Sequence, residues 1–161
     1  MSRFAGDEFT AAAVVFAGED PPRGGPGGEA SSVGRELQRL RALIVEDELL
    51  VAWHLESLLE DLGHEVCSIA PSAEAALSDF RTLEPDIVFM DVNLGAGLDG
   101  VETARLLRRE TPVPIIFVTA YGSSQTRAAI HEAAPGSVIV SKPVSARDLH
   151  AAVEAALQTR H

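Results

Sequence analysis

Acidic, hydroxyl and ammonium side chains follow four short apolar runs of this sequence. Glu46 and Asp47 come directly after one run, and Asp91, Thr119 and Lys142, the only lysine, end or follow the three others. Converging carboxylates repel each other unless a cation joins them, and an oxygen-only ligand set without His or Cys favours a hard divalent ion. The residue types therefore predict a Mg²⁺ site at Glu46, Asp47 and Asp91.

The same side chains could carry a phosphoryl transfer. A carboxylate oxygen of Asp91 could attack a phosphoryl group whose charge the metal ion and Lys142 neutralise, which would give an aspartyl phosphate. The Thr119 hydroxyl could then hydrogen-bond a phosphoryl oxygen. Taken singly, each residue also has an ordinary explanation as a helix cap, a turn former or a strand end. Four matching types at four strand ends favour the joint interpretation.

Five strand–helix units must position these residues. From about Leu40 onward, apolar runs of strand length alternate with segments of helical period. The predicted strands are 41–45, 65–70, 86–90, 114–119 and 137–141, and each is followed by a predicted helix. Short connections between such units imply an α/β fold with a doubly wound parallel sheet in a three-layer sandwich. In such sheets the reactive crevice lies beyond the carboxyl ends of the strands.

Residues 1–39 have a different character from the rest of the chain. Between Gly18 and Gly34 the sequence is dominated by Gly and Pro, which predicts a disordered extension. The apolar stretch 10–17 is similar to the core of a signal peptide, but Asp7 and Glu8 stand where such a signal carries positive charge. We expect an extension over 1–39, one domain over 40–158 and a short tail over 159–161.

Composition excludes several classes of function. The net charge of −11, without a cluster of Lys or Arg, argues against a nucleic-acid partner. No apolar run reaches the roughly 18 residues of a membrane span, and the single cysteine, Cys67, fits a reducing compartment. The sequence predicts a soluble cytoplasmic protein that binds neither nucleic acid nor a membrane.

Four segments resemble the receiver domains of two-component response regulators. They are Leu43–Glu48, Phe89–Asn93, Val118–Ala120 and Ser141–Pro143, which are similar to the acidic segment, the phosphoacceptor strand, the hydroxyl switch strand and the phosphate-binding lysine of that family. The similarity extends over roughly Arg41 to Leu157. It implies a flavodoxin-like (βα)5 fold with strand order 2-1-3-4-5.

The resemblance assigns a role to each residue of the predicted site. Asp91 would accept a phosphoryl group from a phosphohistidine of a sensor histidine kinase or a histidine phosphotransfer protein. Magnesium would be held by the side chains of Glu46, Asp47 and Asp91 and by the backbone carbonyl of Asn93. The residues that bind the phosphoryl group and switch with it would be Thr119, Ala120 and Lys142. The peptide bond before Pro143 is expected to be cis.

Two positions depart from the family pattern. The aromatic residue that usually stands three places before the lysine is Ile139 here, and an aromatic appears instead as Tyr121. The segment around Thr119 resembles the subgroup named after the FATGUY motif, which is often single-domain and tied to general stress signalling. Tyr121 is therefore the candidate switch aromatic, and Asn93 and Tyr121 are expected to tune dephosphorylation.

Two other functions use similar residues. A phosphatase of the haloacid-dehalogenase type would need a second Asp two places after the nucleophile, where this chain has Asn93. A pseudo-receiver would act as an interaction module without phosphorylation. The favoured interpretation is a phosphoacceptor that catalyses only its own phosphorylation and dephosphorylation. It would signal to an unknown downstream protein by contact or by onward phosphotransfer.

Overall fold

The computed structural model describes residues 38–120 and 122–159. Most of the predicted extension, residues 1–37, lies outside the described residues, as do Tyr121 and residues 160–161. The predicted boundary between the extension and the domain therefore stays a prediction. Among the described residues, no helix combines the length and the apolar character that a membrane crossing requires.

Strands and helices alternate along the described chain. The strands are β1 (Arg41–Val45), β2 (Glu65–Ala70), β3 (Ile87–Asp91), β4 (Ile115–Thr119) and β5 (Val138–Ser141). The helices that follow them are α1 (Leu49–Asp61), α2 (Ala73–Leu83), α3 (Gly100–Glu110), α4 (Ser124–Ala133) and α5 (Ala146–Gln158). The five predicted strand–helix units are thus confirmed.

All five strands form one parallel sheet in the order β2-β1-β3-β4-β5. The predicted fold class and strand order are confirmed. The register places Val45 beside Met90 and Asp91 beside Val118. Because the strands are parallel, the residues that follow β1, β3, β4 and β5 meet at one edge of the sheet. We call this the carboxyl edge.

Apolar side chains cover both faces of the sheet. Leu43 and Val45 belong to a core cluster with α2, α3 and α4, whereas Ala42 and Ile44 belong to a second cluster with α1 and α5. Successive residues of a strand point to opposite faces, so a strand buried on both sides must be apolar throughout. The three-layer arrangement follows from these continuous apolar runs.

Helix α1 begins differently from the others. Polar residues cap the remaining four helices by accepting a hydrogen bond from a backbone N–H of the first turn, namely Ser72, Asp99, Ser123 and Ser145. Glu48 precedes α1 without such a side-chain hydrogen bond. The acidic segment before α1 therefore does not serve as its cap, and its carboxylates remain at the carboxyl edge.

Candidate functional site

Three carboxylates crowd together at the carboxyl edge. Glu46, Asp47 and Asp91 each offer an oxygen atom, and these atoms lie within 4.8 Å of one another. Glu46 and Asp91 are buried, with exposed fractions of 4% and 6%, whereas Asp47 is exposed. Buried like charges at this spacing raise each other's energy unless a cation compensates them.

The sheet register explains why residues 45 positions apart in the sequence meet. Val45, the last residue of β1, is the partner of Met90, the next-to-last residue of β3, so Glu46 and Asp91 follow side by side. The Glu46 backbone N–H donates to the Ala70 carbonyl at 3.0 Å and extends the ladder with β2. In addition, Glu46 Oε1 accepts a hydrogen bond from the Glu48 N–H at 3.1 Å, which orients the carboxylate.

Lys142 supplies the compensating positive charge. Its Nζ donates to Glu46 Oε2 at 2.8 Å and lies 3.5 Å from Asp91 Oδ1. Its backbone N–H donates to the Thr119 carbonyl at 2.9 Å, so the residue is fixed at both ends. The ammonium group therefore lies between two of the three carboxylates.

The electrostatic environment shifts the pKa of both partners of this ion pair. Burial works to lower the pKa of Lys142, but its hydrogen bond to Glu46 and the negative charge of Asp91 outweigh burial and raise that pKa above its ordinary value. Burial is the largest influence on Glu46 and raises the pKa of its carboxyl group; the hydrogen bond from Lys142 opposes it only in part. Lys142 therefore remains charged near neutral pH, while Glu46 gives up its proton less readily than a solvated carboxyl group.

The predicted phosphate-binding residues lie at the same edge. Thr119 ends β4 with an exposed fraction of 1% and is the register partner of Ser141, which precedes Lys142. Ala120 follows it and is exposed. The Lys142–Pro143 peptide bond is cis, as the resemblance implies. Four of the strand ends thus deliver their predicted residues to one place.

The loop from β3 to α3 closes around Asp91. The Asn93 backbone N–H donates to Asp91 Oδ1 at 3.3 Å, and the Asn93 side chain is exposed. A Cβ atom at Gly100 would lie 1.8 Å from the Asp91 carbonyl oxygen, so only glycine permits this approach of α3. At Gly95, where φ is +66°, a Cβ atom would lie 3.1 Å from Asp47 Oδ2. The glycines of this loop let the backbone pack directly against the acidic cluster.

The donor set fits a hard divalent cation. Magnesium prefers oxygen ligands at about 2.1 Å, so two ligands of one ion lie at most roughly 4 Å apart. A separation within 4.8 Å is brought into that range by small side-chain rotations. Glu46, Asp47 and Asp91 could therefore hold such an ion, which leaves further coordination positions for backbone, solvent or a phosphoryl oxygen.

The structure describes one of the two positions that depart from the family pattern, Ile139. Tyr121, the candidate switch aromatic, is outside the described residues. Ile139 is partly buried and packs against the core cluster that contains α2, α3 and α4. At this position of β5 an apolar side chain completes the core.

Sequence reasoning did not identify Leu49 and Leu50 of α1 as exposed residues. Leu49, Leu50 and Trp53 of α1 are 54%, 78% and 51% exposed. Leu50 lines a groove of about 400 Å³ together with His54, Lys142 and Val144. The sequence signal was that the apolar residues Leu49 and Leu50 stand before the first of the regularly spaced residues that mark the buried face of α1. Periodicity identifies the buried face but does not mark the extra apolar residues as uncovered.

Comparisons with known proteins match the fold described above. Residues 42–154 match the family model described as the response regulator receiver domain. The chain is 34% identical over 128 residues to the phyllosphere-induced regulator PhyR of Methylorubrum extorquens, a match that covers 77% of this chain and 47% of that protein. This chain spans about half the length, or less, of the curated relatives it matches first.

Solved structures show the same fold. The signal receiver domain of a modulated diguanylate cyclase from Desulfovibrio desulfuricans is 36% identical, with a TM-score of 0.70 over 76% of this chain and 96% of that one. The response regulator PhyR from Brucella abortus is 31% identical, with a TM-score of 0.65 over 74% of this chain and 48% of that one. The carboxyl edge described above therefore belongs to a fold that these regulators share.

Proposed function

Because this chain belongs to the family of response regulator receiver domains, we propose that Asp91 accepts a phosphoryl group from a phosphohistidine donor. The proposal rests on one observation above all: Asp91 lies within 4.8 Å of Glu46 and Asp47 and 3.5 Å from the Lys142 ammonium. Carboxylates are poor nucleophiles toward a charged phosphoryl group unless cations offset that charge. This arrangement offers a nucleophile, a set of metal ligands and a fixed cation together.

In the proposed reaction, Asp91 is the nucleophile. An oxygen lone pair of its carboxylate forms the new bond to phosphorus, while the bond from phosphorus to the donor imidazole nitrogen breaks and leaves its electron pair on that nitrogen. The site would use Mg²⁺ held by Glu46, Asp47, Asp91 and the backbone carbonyl of Asn93. When bound, the ion would neutralise negative charge on the carboxylates and on the phosphoryl oxygens.

Lys142 and Thr119 would hold the product. The phosphoryl group competes with Glu46 for the Lys142 ammonium, which already lies 3.5 Å from the Asp91 oxygen and needs little movement to reach it. A single ammonium meets one phosphoryl oxygen as a point charge. The hydroxyl of Thr119, from the end of the neighbouring strand, would hydrogen-bond another oxygen, and the adjacent Ala120 would move with it.

We propose that the phosphodonor is a sensor histidine kinase or a histidine phosphotransfer protein that docks on the exposed residues of α1. Leu49, Leu50 and Trp53 provide exposed apolar contact area on the helix that follows Glu46 and Asp47, and aromatic side chains are enriched in interface cores. Trp53→Ala should slow phosphorylation by a protein donor and leave phosphorylation by acetyl phosphate unchanged. Equal slowing of both would assign Trp53 to the site itself.

Output is proposed to pass through the segment after Thr119 to a downstream protein, or by onward phosphotransfer. Tyr121 follows Thr119 by two residues and is proposed to replace the aromatic that Ile139 does not provide. With such a role the chain would serve cytoplasmic stress signalling and would catalyse only its own phosphorylation and dephosphorylation. Partner binding by Tyr121→Ala, Tyr121→Phe and Ile139→Ala, with and without a phosphate mimic, compares the two positions. Normal switching by Tyr121→Ala and loss by Ile139→Ala would reverse the assignment.

Acetyl phosphate and Mg²⁺ followed by intact mass spectrometry test the proposed function. Wild type should gain one phosphoryl group, and Asp91→Ala should gain none. Asp61→Ala removes an exposed carboxylate at the end of α1 and serves as the matched control, which should behave as wild type. Equal incorporation by wild type and Asp91→Ala would remove Asp91 from the role. No incorporation into wild type would favour a pseudo-receiver.

A further inference from the structure

His54 connects helix α1 with the turn that follows β5. Its Nε2 lies 3.1 Å from the backbone carbonyl oxygen of Val144, although the two residues are 90 positions apart in the sequence. A carbonyl oxygen only accepts hydrogen bonds, so Nε2 carries the proton and donates it. From this contact we infer that His54 is a positioning residue that fixes the turn carrying Lys142. The inference rests on the proposed function of the site.

The contact joins the segments that follow β1 and β5. Helix α1, which carries His54, begins directly after the acidic segment that contains Glu46 and Asp47. Val144 ends the turn that begins at Lys142. One hydrogen bond therefore connects α1, the helix that follows Glu46 and Asp47, with the turn that begins at Lys142.

Besides the start of helix α5, which Ser145 caps directly after Val144, few contacts of the described residues hold the turn. The Lys142 N–H donates to the Thr119 carbonyl, which fixes the start of the turn. Pro143 has no backbone N–H to donate. Val144 is buried in the core cluster that contains Leu55 of α1, which restrains the end of the turn through apolar contact. Apolar contact is not directional, whereas the His54 hydrogen bond sets the orientation of the Val144 peptide group.

This orientation matters most when Lys142 changes its partner. The ammonium is now held by Glu46 at 2.8 Å, and in the proposed reaction it must reach a phosphoryl oxygen instead. Lysine has a long side chain with many rotamers. The position that its ammonium group can reach is therefore defined only if the backbone of the residue is fixed. The His54 contact holds the backbone two residues beyond Lys142 while the side chain moves.

The imidazole can keep this hydrogen bond in both protonation states. In neutral His54 the Nε2–H tautomer donates, and in the protonated form both ring nitrogens carry hydrogen. The role of His54 is therefore one of geometry. A side-chain amide can replace the imidazole if the amide nitrogen extends as far from the backbone as Nε2 does.

Two amide substitutions separate positioning from a general loss of polarity. In His54→Gln the side-chain nitrogen is as many bonds from Cα as Nε2 of histidine, so it can donate to Val144. In His54→Asn the nitrogen is one bond closer and falls short of the carbonyl. Both variants remain polar and uncharged, and the thermal unfolding of each is measured beside its activity to identify a variant that has lost the fold.

Phosphorylation by acetyl phosphate should distinguish the two variants. His54→Asn should lower the initial rate about five- to tenfold, the value expected when about one hydrogen bond of positioning free energy is lost. His54→Gln should stay within about twofold of wild type, because its amide restores the hydrogen bond. The affinity for Mg²⁺, measured by calorimetry, should not change in either variant because Val144 holds no metal ligand. Equal rates for both variants, or a rate loss that follows the Mg²⁺ affinity, would overturn the inference.

A double-mutant cycle tests whether His54 acts through Lys142. In the background of Lys142→Ala, adding His54→Asn should cause no further loss of rate, because there is no ammonium to position. The same fold-loss in both backgrounds would show that His54 acts only on general stability. In the protein without phosphate, His54→Asn should shift the amide NMR signals of Lys142 and Val144 more than His54→Gln does. This spectrum is independent of phosphorylation, so absence of the shift refutes the positioning role by itself. Failure of wild type to accept phosphate would instead refute the proposed function.

Discussion

The two edges of the sheet differ in the partners of their polar side chains. At the edge formed by the amino ends of the strands, two side chains accept hydrogen bonds from the backbone: Asp86 Oδ2 from the Arg41 N–H at 2.8 Å, and His64 Nδ1 from the Leu40 N–H at 3.3 Å. At the carboxyl edge, Glu46 and Asp91 also accept backbone hydrogen bonds, but the charged side chain of Lys142 lies between them. We call the first the amino edge.

The difference separates a structural role from a reactive one. A side chain bonded to the backbone completes the hydrogen bonding of a strand end and stabilises the fold. A cluster of three carboxylates with one neighbouring ammonium has an excess of negative charge, which costs stability unless a metal ion binds. Removing a carboxylate charge should therefore change stability in opposite directions at the two edges.

The largest expected loss of stability comes from a substitution at Gly100, which packs closely against the backbone of Asp91. Gly100→Ala would place a Cβ atom 1.8 Å from the Asp91 carbonyl oxygen, so α3 must move. We expect the free energy of unfolding to fall by about 3 kcal/mol, measured by urea denaturation. Gly122→Ala is the control, because its Cβ would meet only the mobile end of the Arg127 side chain, at 3.3 Å. Similar losses for both variants would contradict the packing argument.

The next largest effect is expected at the amino edge. Asp86→Ala removes the acceptor of the Arg41 N–H and should lower the free energy of unfolding by about 2 kcal/mol, because a backbone donor is left without its partner. Asp86→Asn keeps an acceptor oxygen at the same position and should lose less. Chemical denaturation of both variants measures the difference. Equal stability of Asp86→Ala and wild type would contradict a structural role for this edge.

At the carboxyl edge, removal of a charge should instead increase stability. Asp91→Asn takes one of three carboxylate charges from the buried cluster and should raise the free energy of unfolding by about 1 kcal/mol in the absence of divalent ions. Mg²⁺ should reduce this advantage, because the ion binds and stabilises the wild type more strongly. Destabilisation by Asp91→Asn in both conditions would make Asp91 a structural residue like Asp86.

The smallest expected effect is the pH dependence of stability that His64 contributes at the amino edge. Burial, and to a lesser extent the charge of His150, lowers the pKa of His64 below its ordinary value of 6.5. Below pH 6.5 the unfolded chain therefore binds a proton at His64 that the folded chain does not. The stabilising effect of neutral His64 is fully present above that pH and is lost as the pH falls toward the folded pKa.

His64→Asn isolates this dependence. Its Oδ1 can accept from the Leu40 N–H as Nδ1 does, but it does not titrate. Between pH 6.5 and about pH 5.5, wild type should lose at most about 1 kcal/mol of stability relative to His64→Asn. Urea denaturation across this range measures the difference. Parallel pH profiles for the two proteins would show that His64 takes up protons equally in the folded and unfolded chains.

Most of the fold was predictable from the sequence because the strands are buried on both faces. Continuous apolar runs such as Ile87–Met90 admit few alternatives when a helical segment with a polar cap follows them. The members of the site were predictable for the same reason, since each directly follows or ends a strand. Parallel strands bring such residues to one edge whatever the details of packing.

The remaining features depend on contacts between distant segments. The preference of Lys142 for Glu46 over Asp91, at 2.8 Å against 3.5 Å, depends on strand register and on side-chain conformation. The contact of His54 with Val144 depends on how α1 packs against the turn after β5. Neither is encoded in a local pattern. The exposure of Leu50 was hidden in the same way, because an apolar residue on a predicted helix is expected to be covered.

Locating the phosphoryl group shows directly whether Asp91 is the phosphoacceptor. Wild type is incubated with acetyl phosphate and Mg²⁺, the acyl phosphate is reduced with borohydride, and the modified residue is identified by peptide mass spectrometry. We expect modification of Asp91 alone, with none at Asp86 on the amino edge. Modification of Asp86, or of Glu46 or Asp47 in place of Asp91, would contradict the assignment of Asp91 as the phosphoacceptor.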